Sequence, residues 1–295
     1  MTRVSIGDHV ATRVEQFSAP GGLWSQIFPA LTQEIMDRHQ GWMVPDYFDP
    51  VSGGFITSIH SWLLKTPRRT ILIDSCAGDG KRRSLERYND LHSPFLKNLA
   101  AAGCKPEEID VVLCTHMHVD HVGWNTRLQD GRWVPTFPNA QYLFDRTEYD
   151  YWASEETRKT TRASDIAQIH DDSIAPVFEA GLAVFVDGAH EVDDGVVIEP
   201  APGHTAGHAV VRSTSRDRKG LFSGDVMHQP FQIYEPGINS RYCYDPELAR
   251  TTRRRLLTQC AEEDWLLLPA HFGIPHVGRV RAKGNGFTFH PGIAS

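Results

Sequence analysis

Thr115-His116-Met117-His118-Val119-Asp120-His121 places four potential metal ligands within six residues. Imidazole nitrogens and carboxylate oxygens are the donors that zinc and its first-row neighbours take. A neutral imidazole can face such an ion without being buried as a charge. So dense a group is costly at the mouth of a sheet unless a cation fills the space between the side chains. The competing reading is a solvated polar loop, but His/Asp donors at this density and spacing are a metal signal. Three more donor-bearing segments follow apolar stretches: Pro202-Gly203-His204-Thr205-Ala206-Gly207-His208, Ser223-Gly224-Asp225 and Pro269-Ala270-His271. Taken singly, a histidine or aspartate at a strand end is an ordinary turn residue.

Donors at strand ends require strands, and apolar patterning supplies them. Ile109 to Thr115 is almost wholly apolar, as expected of a strand covered on both faces, and runs directly into the histidine cluster. Phe55 to Leu64 and Thr70 to Asp74 read as antiparallel strands around a turn at Pro67. Ser93 and Pro94 offer an N-cap and a first-turn proline, Leu96, Leu99 and Ala100 continue the apolar face, and Gly103 can close that helix. Further strands are expected at Gln141–Phe144, Leu182–Val186, Val196–Glu199, His208–Arg212, Leu221–Ser223 and Trp265–Leu268. Asp245-Pro246 opens another helix, with Leu248, Thr252, Leu256 and Cys260 on one face. The class is α/β, two sheets with helices outside both. A length of 295 residues suits one large layered domain, 1–295. Residues 1–53, with Gly21-Gly22, several prolines and apolar Leu23, Trp24, Ile27, Phe28 and Leu31, read as an N-terminal arm. Residues 147–177 read as a helical insertion near the site.

In order and context the donors resemble the metallo-β-lactamase superfamily, whose signature H-x-H-x-D-H, then H, then D, then H is matched without a gap between about residues 54 and 275. The resemblance implies a four-layer αβ/βα metallo-β-lactamase sandwich with the site at one edge between two central sheets. It implies that His116, His118 and His204 hold one ion, that Asp120, His121 and His271 hold a second, and that Asp225 bridges both. Two divalent ions are expected, zinc by default, with manganese, cobalt or iron accepted by the same donor set. β-Lactam-destroying relatives typically put cysteine or serine at the place of Asp225, and diiron flavoprotein relatives put glutamate at the place of His118. The pattern is similar to the branch of small lactonases and methyl parathion hydrolase-like enzymes, with one departure. Lactonases of that branch often have tyrosine three positions after the bridging aspartate, where this chain has His228.

That resemblance implies a dinuclear metal-dependent hydrolase, expected to open a lactone or aryl ester by attack of a hydroxide bridging the ions. The alternatives are a phosphotriesterase of the methyl parathion hydrolase type, a glyoxalase II-like thioesterase, and a non-catalytic binding module of the same fold. A short tail after His271 disfavours the thioesterase, whose relatives carry a helical C-terminal domain. Asp120 is expected to orient the hydroxide as well as bind metal, and His228 to donate the leaving-group proton; a solvent-facing role for His228 is the bland alternative. Asp74 is placed to hydrogen-bond a ligand histidine, while His208 is expected to pack behind the set. No G-x-S-x-G elbow is present, and Cys114 lies inside an apolar run. Gly78-Asp79-Gly80-Lys81 lacks the spacing of a phosphate loop. Trp24, Phe28, Phe48, Trp124, Tyr149, Trp152, Phe231, Ile233 and Tyr234 are candidate walls for a small uncharged ester or lactone.

A formal charge of −7 argues against nucleic acid and anionic membranes as partners. The short basic runs at Arg68-Arg69, Lys81-Arg82-Arg83 and Arg253-Arg254-Arg255 are scattered and lack interleaved aromatics. Five cysteines without C-x-x-C spacing fit neither a disulfide framework nor a thiolate zinc site, and no secretory pattern opens the sequence, so a cytoplasmic location is expected. The apolar residues of the arm make a homodimer an expectation.

Overall fold

Apolar side chains alternate along the central strands, and the two sets reach different cores. Ile71 and Ile73 enter one core while Leu72 enters another. Val111 and Leu113 divide from Val112 in the same way, as do Leu266 and Leu268 from Leu267. Strands with both faces buried this way must be covered on both sides. A computed structural model of the chain describes residues 1–159 and 163–292. Residues 160–162, inside the expected 147–177 insertion, and residues 293–295 lie outside the described residues.

The first sheet is eight-stranded, in the order Arg3–Ile6, His9–Leu23, Gly54–Lys65, Thr70–Ile73, Val111–Leu113, Gln141–Asp145, Ala183–Val186, with Phe48–Asp49 paired alongside Gly54–Lys65. The second is seven-stranded, running from His190–Asp193 through Val196–Pro200, Ala209–Ser215, Arg218–Phe222, Leu266–Leu268 and Gly278–Lys283 to Gly286–Pro291. The core between the sheets takes Trp62, Ile73 and Leu113 from one and Val211, Phe222 and Leu268 from the other. Outside the first sheet, Phe95 and Leu99 of helix Phe95–Ala101 and Ile174 and Val177 of the insertion cover Leu72 and Val112. Outside the second, Leu256, Leu257 and Cys260 of helix Pro246–Glu262 cover Val210 and Leu267. The result is helix, sheet, sheet, helix.

Thr70–Ile73, Val111–Leu113, Gln141–Asp145 and Ala183–Val186 run parallel, as do Arg218–Phe222 and Leu266–Leu268 in the other sheet. Parallel strands discharge their C-terminal residues at one edge of a sheet, where α/β folds collect ligands. Asp74, His116, Asp225 and His271 each follow such a strand within a few residues.

Four expectations change. Residues 1–23 are not an arm: His9–Leu23 pairs along Gly54–Lys65 from Val10 opposite Lys65 to Leu23 opposite Gly54. Its alternation is hidden because Arg13 and Gln16 are buried through hydrogen bonds to Ser58 and to Gly78. The segment after His271 is more than a tail, since Gly278–Lys283 and Gly286–Pro291 form the edge hairpin of the second sheet. Ser93 does not cap its helix; its amide and hydroxyl both donate to the Asp79 carboxylate instead. Asp245 does cap Pro246–Glu262, accepting from Glu247 and Leu248 amides, but Leu248 itself faces solvent while Ala249 and Leu257 are buried. The 147–177 region is helical where described: Arg146–Ala153, Glu155–Arg158, Ala163–Ile169, a π-helical turn His170–Ile174 and Ala175–Glu179.

Candidate metal centre

Asp74 ends its strand in the left-handed region, at φ 57°, a conformation that Asp tolerates better than most residues. That turn aims its carboxylate at the next strand end. Thr115 donates to it from its amide at 2.8 Å and its hydroxyl at 2.9 Å, and His121 meets it through Nδ1 at 2.8 Å. With Nδ1 committed, His121 presents Nε2 to the centre. His271 is oriented alike, its Nδ1 lying 3.1 Å from the Ser58 carbonyl. His116 Nδ1 lies 3.1 Å from the Thr115 hydroxyl. Gly224 holds φ +48°, and a Cβ there would come within 2.7 Å of His208 Nε2. Glycine therefore lets the Asp225 amide reach that nitrogen, at 3.0 Å.

All the sequence-derived donors converge. His116, His118, His204 and Asp225 form one group and Asp120, His121 and His271 another, with ligand atoms within each group lying within 4.8 Å of one another. His118 Nδ1 stands 3.0 Å from His116 Nε2 and 2.9 Å from His204 Nε2. Neighbouring ligands of a tetrahedral ion with bonds near 2.0–2.1 Å are about 3.3 Å apart, so the spacing suits one small cation. Asp225 divides its oxygens between the groups. Oδ2 lies 3.3 Å from His204 Nε2 and 3.7 Å from His116 Nε2, while Oδ1 lies 3.0 Å from His271 Nε2 and 3.4 Å from His121 Nε2.

The electrostatics suit cations between these atoms. Burial pushes His116 and His204 well below the usual imidazole range, leaving neutral rings with lone pairs to give. Burial opposes the charge on Asp225 too, but His271, His121 and His228 outweigh it and hold the carboxyl well below the usual range. His121 Nε2 and Asp225 Oδ1 are buried without a hydrogen-bond partner among the described residues. Orphaned polar atoms cost about 1–3 kcal/mol each, and a divalent cation between them removes that cost. The donor set therefore fits a pair of divalent ions.

Above the centre opens a cavity of about 430 Å³, with His118, Asp120, His204, Asp225, His228 and His271 on its floor. A larger, more open concavity of about 660 Å³ over Arg82, Ser84 and Asn89 contains none of the donor groups. Of the expected walls, only Phe28 and Trp152 line this cavity. Phe48, Phe231 and Ile233 are core, Trp124 stacks on Phe95 at 5.3 Å between ring centroids, and Tyr149 packs on Phe178 at 5.0 Å. Trp24 and Tyr234 pack against the core of the second sheet's outer face. Aromatic residues are drawn to packing first, and nothing local separates the two uses. His228 stands on the floor, its Nε2 3.3 Å from Asp225 Oδ2. Cys114 is buried and burial raises its thiol pKa, so it is no nucleophile.

Two residues escaped the sequence reading. Glu148 is buried; its Oε1 accepts from the Met117 amide at 2.9 Å and from Trp152 Nε1 at 2.6 Å, and its Oε2 from the Gly207 amide at 2.9 Å. It thereby ties the loop of His116 and His118 to the loop of His204. A Cβ on Gly207 would fall 2.2 Å from the Glu148 amide, so only glycine allows this approach. The signal available was Asp145 three residues before Glu148, a capping pattern, and Asp145 does accept from the Glu148 amide. Tyr88 donates its hydroxyl to Asp120 Oδ2 at 2.8 Å and lines the cavity. Its loop has no periodicity to flag it.

Residues 55–271 match the family model of the metallo-beta-lactamase superfamily. The chain belongs to that superfamily. Its members include relatives of modest identity: an N-acyl homoserine lactonase of Bacillus thuringiensis is 24% identical over 176 residues, or 59% of this chain and 60% of the relative. One from Bacillus cereus is 24% identical over 177 residues, again with 59% and 60% of the two chains covered. The match thus spans about 60% of the length of these relatives. Among solved metallo-beta-lactamase folds, the crystal structure of the hydrolase AbOPH aligns with a TM-score of 0.82 at 23% identity, covering 100% of this chain and 98% of that one. AidC, a dizinc quorum-quenching lactonase in complex with a product, aligns at 0.79 and 20% identity, covering 99% and 97%. At such identities the likeness establishes the superfamily's fold. No helix among the described residues is long and apolar enough to cross a membrane.

Proposed function

We propose that this chain is a dinuclear metal-dependent hydrolase that opens a lactone or cleaves an aryl ester. The observation that carries the reading is the Asp225 carboxylate, one oxygen turned to each donor group. His116, His118 and His204 would hold one ion and Asp120, His121 and His271 the other, with Asp225 shared. Two divalent cations supply, when bound, a water ionised near neutral pH and a positive charge for the ester carbonyl. Zinc is the ion we propose, on the nitrogen-rich donor set. Asp120, steadied by Tyr88, orients the nucleophile through its carboxylate. His228, on the cavity floor, delivers a proton to the departing oxygen from Nε2. Phe28, Trp152, Ile166 and Ile169 exclude water from the reacting groups.

Lactonases among the relatives support a cyclic ester as substrate. The largely apolar cavity accommodates a small lactone or aryl ester. The test is a panel of acyl, aryl and sugar-derived lactones, an aryl ester, a phosphotriester and a thioester, run with elemental analysis on wild type and Asp120→Asn. Lactone and aryl-ester turnover should follow metal content and collapse in the variant. Metal-replete protein that leaves every lactone and aryl ester intact overturns the reading, whether or not it cleaves the triester or thioester.

A further inference from the structure

The wall of the catalytic cavity carries three arginines, Arg83, Arg87 and Arg241, in a chain whose net charge is −7. Arg83 is committed: it forks onto Asp172 with bonds of 2.7 and 2.8 Å. The acids of the cavity are likewise engaged. Asp120 and Asp225 belong to the metal centre, and Asp165 accepts from the Ser84 amide at 3.0 Å and from its hydroxyl. Arg87 and Arg241 have no carboxylate partner among the described residues.

Both line the cavity. The Arg87 guanidinium lies 5.8 Å from the Phe17 ring centroid and 5.3 Å from that of Tyr88. A Cβ on Gly21 would come 3.0 Å from Arg87 Nη1, so the absent side chain leaves the guanidinium its room. Arg241 is fixed through its backbone, its amide donating to the Ile27 carbonyl at 2.8 Å. Gly21 and Ile27 both belong to the stretch of residues 21–28 that borders the cavity. Two arginines that line one largely apolar cavity without a carboxylate partner among the described residues add positive potential to it. A guanidinium fork matches a carboxylate with two parallel hydrogen bonds.

We propose that Arg87 and Arg241 form an anion subsite in the cavity wall, and that the ester or lactone cleaved there carries a carboxylate remote from its scissile carbonyl. The inference rests on the hydrolase reading for the reaction but not for binding, and it replaces the expectation of an uncharged substrate. The binding arm uses calorimetry on the metal-loaded full chain with hexanedioate and its monoamide. Wild type should bind the diacid about tenfold or more tightly than the monoamide. In Arg87→Gln/Arg241→Gln that preference should fall to within about twofold. Equal binding of the two probes by wild type, or an undiminished preference in the double variant, overturns the proposal. Arg241 is exposed, so Arg241→Gln alone serves if the double variant misfolds.

The kinetic arm compares a phenyl ester ending in a carboxylate with its carboxamide twin. The acid should be favoured in kcat/KM by about tenfold, chiefly through KM, and added salt should erode the preference. A terminal phosphate preferred over the carboxylate by more than about tenfold overturns the assignment to a carboxylate. If no ester is cleaved but the diacid still binds through the arginines, the subsite stands and the hydrolase reading falls. If esters are cleaved without regard to terminal charge, the subsite falls alone.

Discussion

On one side of Asp225, His121 and His271 each give their remote ring nitrogen to a fixed acceptor, the Asp74 carboxylate at 2.8 Å and the Ser58 carbonyl at 3.1 Å. Asp120 on the same side is held by Tyr88. On the other side the anchors are weaker at the rings: His116 has the Thr115 hydroxyl at 3.1 Å, and His204 Nδ1 faces the Cys243 thiol at 3.9 Å. There the loops are fastened by their backbones, through Glu148 and the Met117 and Gly207 amides. Side-chain bracing on one side and backbone bracing on the other thus reach the same end, imidazoles aimed at one point. Glu148, which touches no ligand side chain, positions ligand loops as Asp74 positions a ligand ring.

Removing the carboxylate common to both sides should erase the difference between them. Asp225→Ala is expected to lose both ions in elemental analysis and at least about a thousandfold in turnover of a cleaved ester. Retention of one tightly held ion would show the two sides to be independent.

The next two substitutions should separate the sides. Asp74→Asn keeps a residue that tolerates the left-handed backbone but takes the negative charge from behind His121. Affinity for the second ion should drop about 10–100-fold in a competition titration, with the first ion retained. Glu148→Gln should do the reverse, weakening the ion on the His116, His118 and His204 side by about tenfold, because an amide cannot accept all three donors as well as a carboxylate does. Loss of the same ion in both variants would sink the division into two differently braced sides.

The smallest effect belongs to Tyr88→Phe, which removes one hydrogen bond from Asp120 and leaves the ring in place. We expect a fall of about three- to tenfold in affinity for the second ion, read by the visible absorption of the cobalt-loaded protein. An unchanged cobalt spectrum and affinity would place Tyr88 outside the bracing.

Most strands were legible because an apolar run with both faces covered stands out from its surroundings, as Ile109–Thr115 does around the observed Val111–Leu113. His9–Leu23 was illegible because Arg13 and Gln16 are buried by partners far away in sequence. The cavity wall was misread for a related reason: Trp124, Phe231 and Ile233 look like pocket aromatics and aliphatics in sequence but satisfy core packing. The contacts by which Glu148 and Tyr88 brace the centre carry no local mark, since Met117, Gly207 and Asp120 lie 31, 59 and 32 positions away.

By itself the sequence determined which side chains could coordinate, because donor chemistry and the H-x-H-x-D-H spacing are local properties of the chain. The resemblance already implied how those donors divide; tertiary structure decided the distances at which they stand. Asp225 stands between two groups only because parallel strands of two different sheets end at one edge, and no spacing along the chain encodes that meeting. The bracing of each histidine and the charge in the cavity wall were settled there too, since hydrogen bonds and fields act through space between residues that the sequence keeps apart.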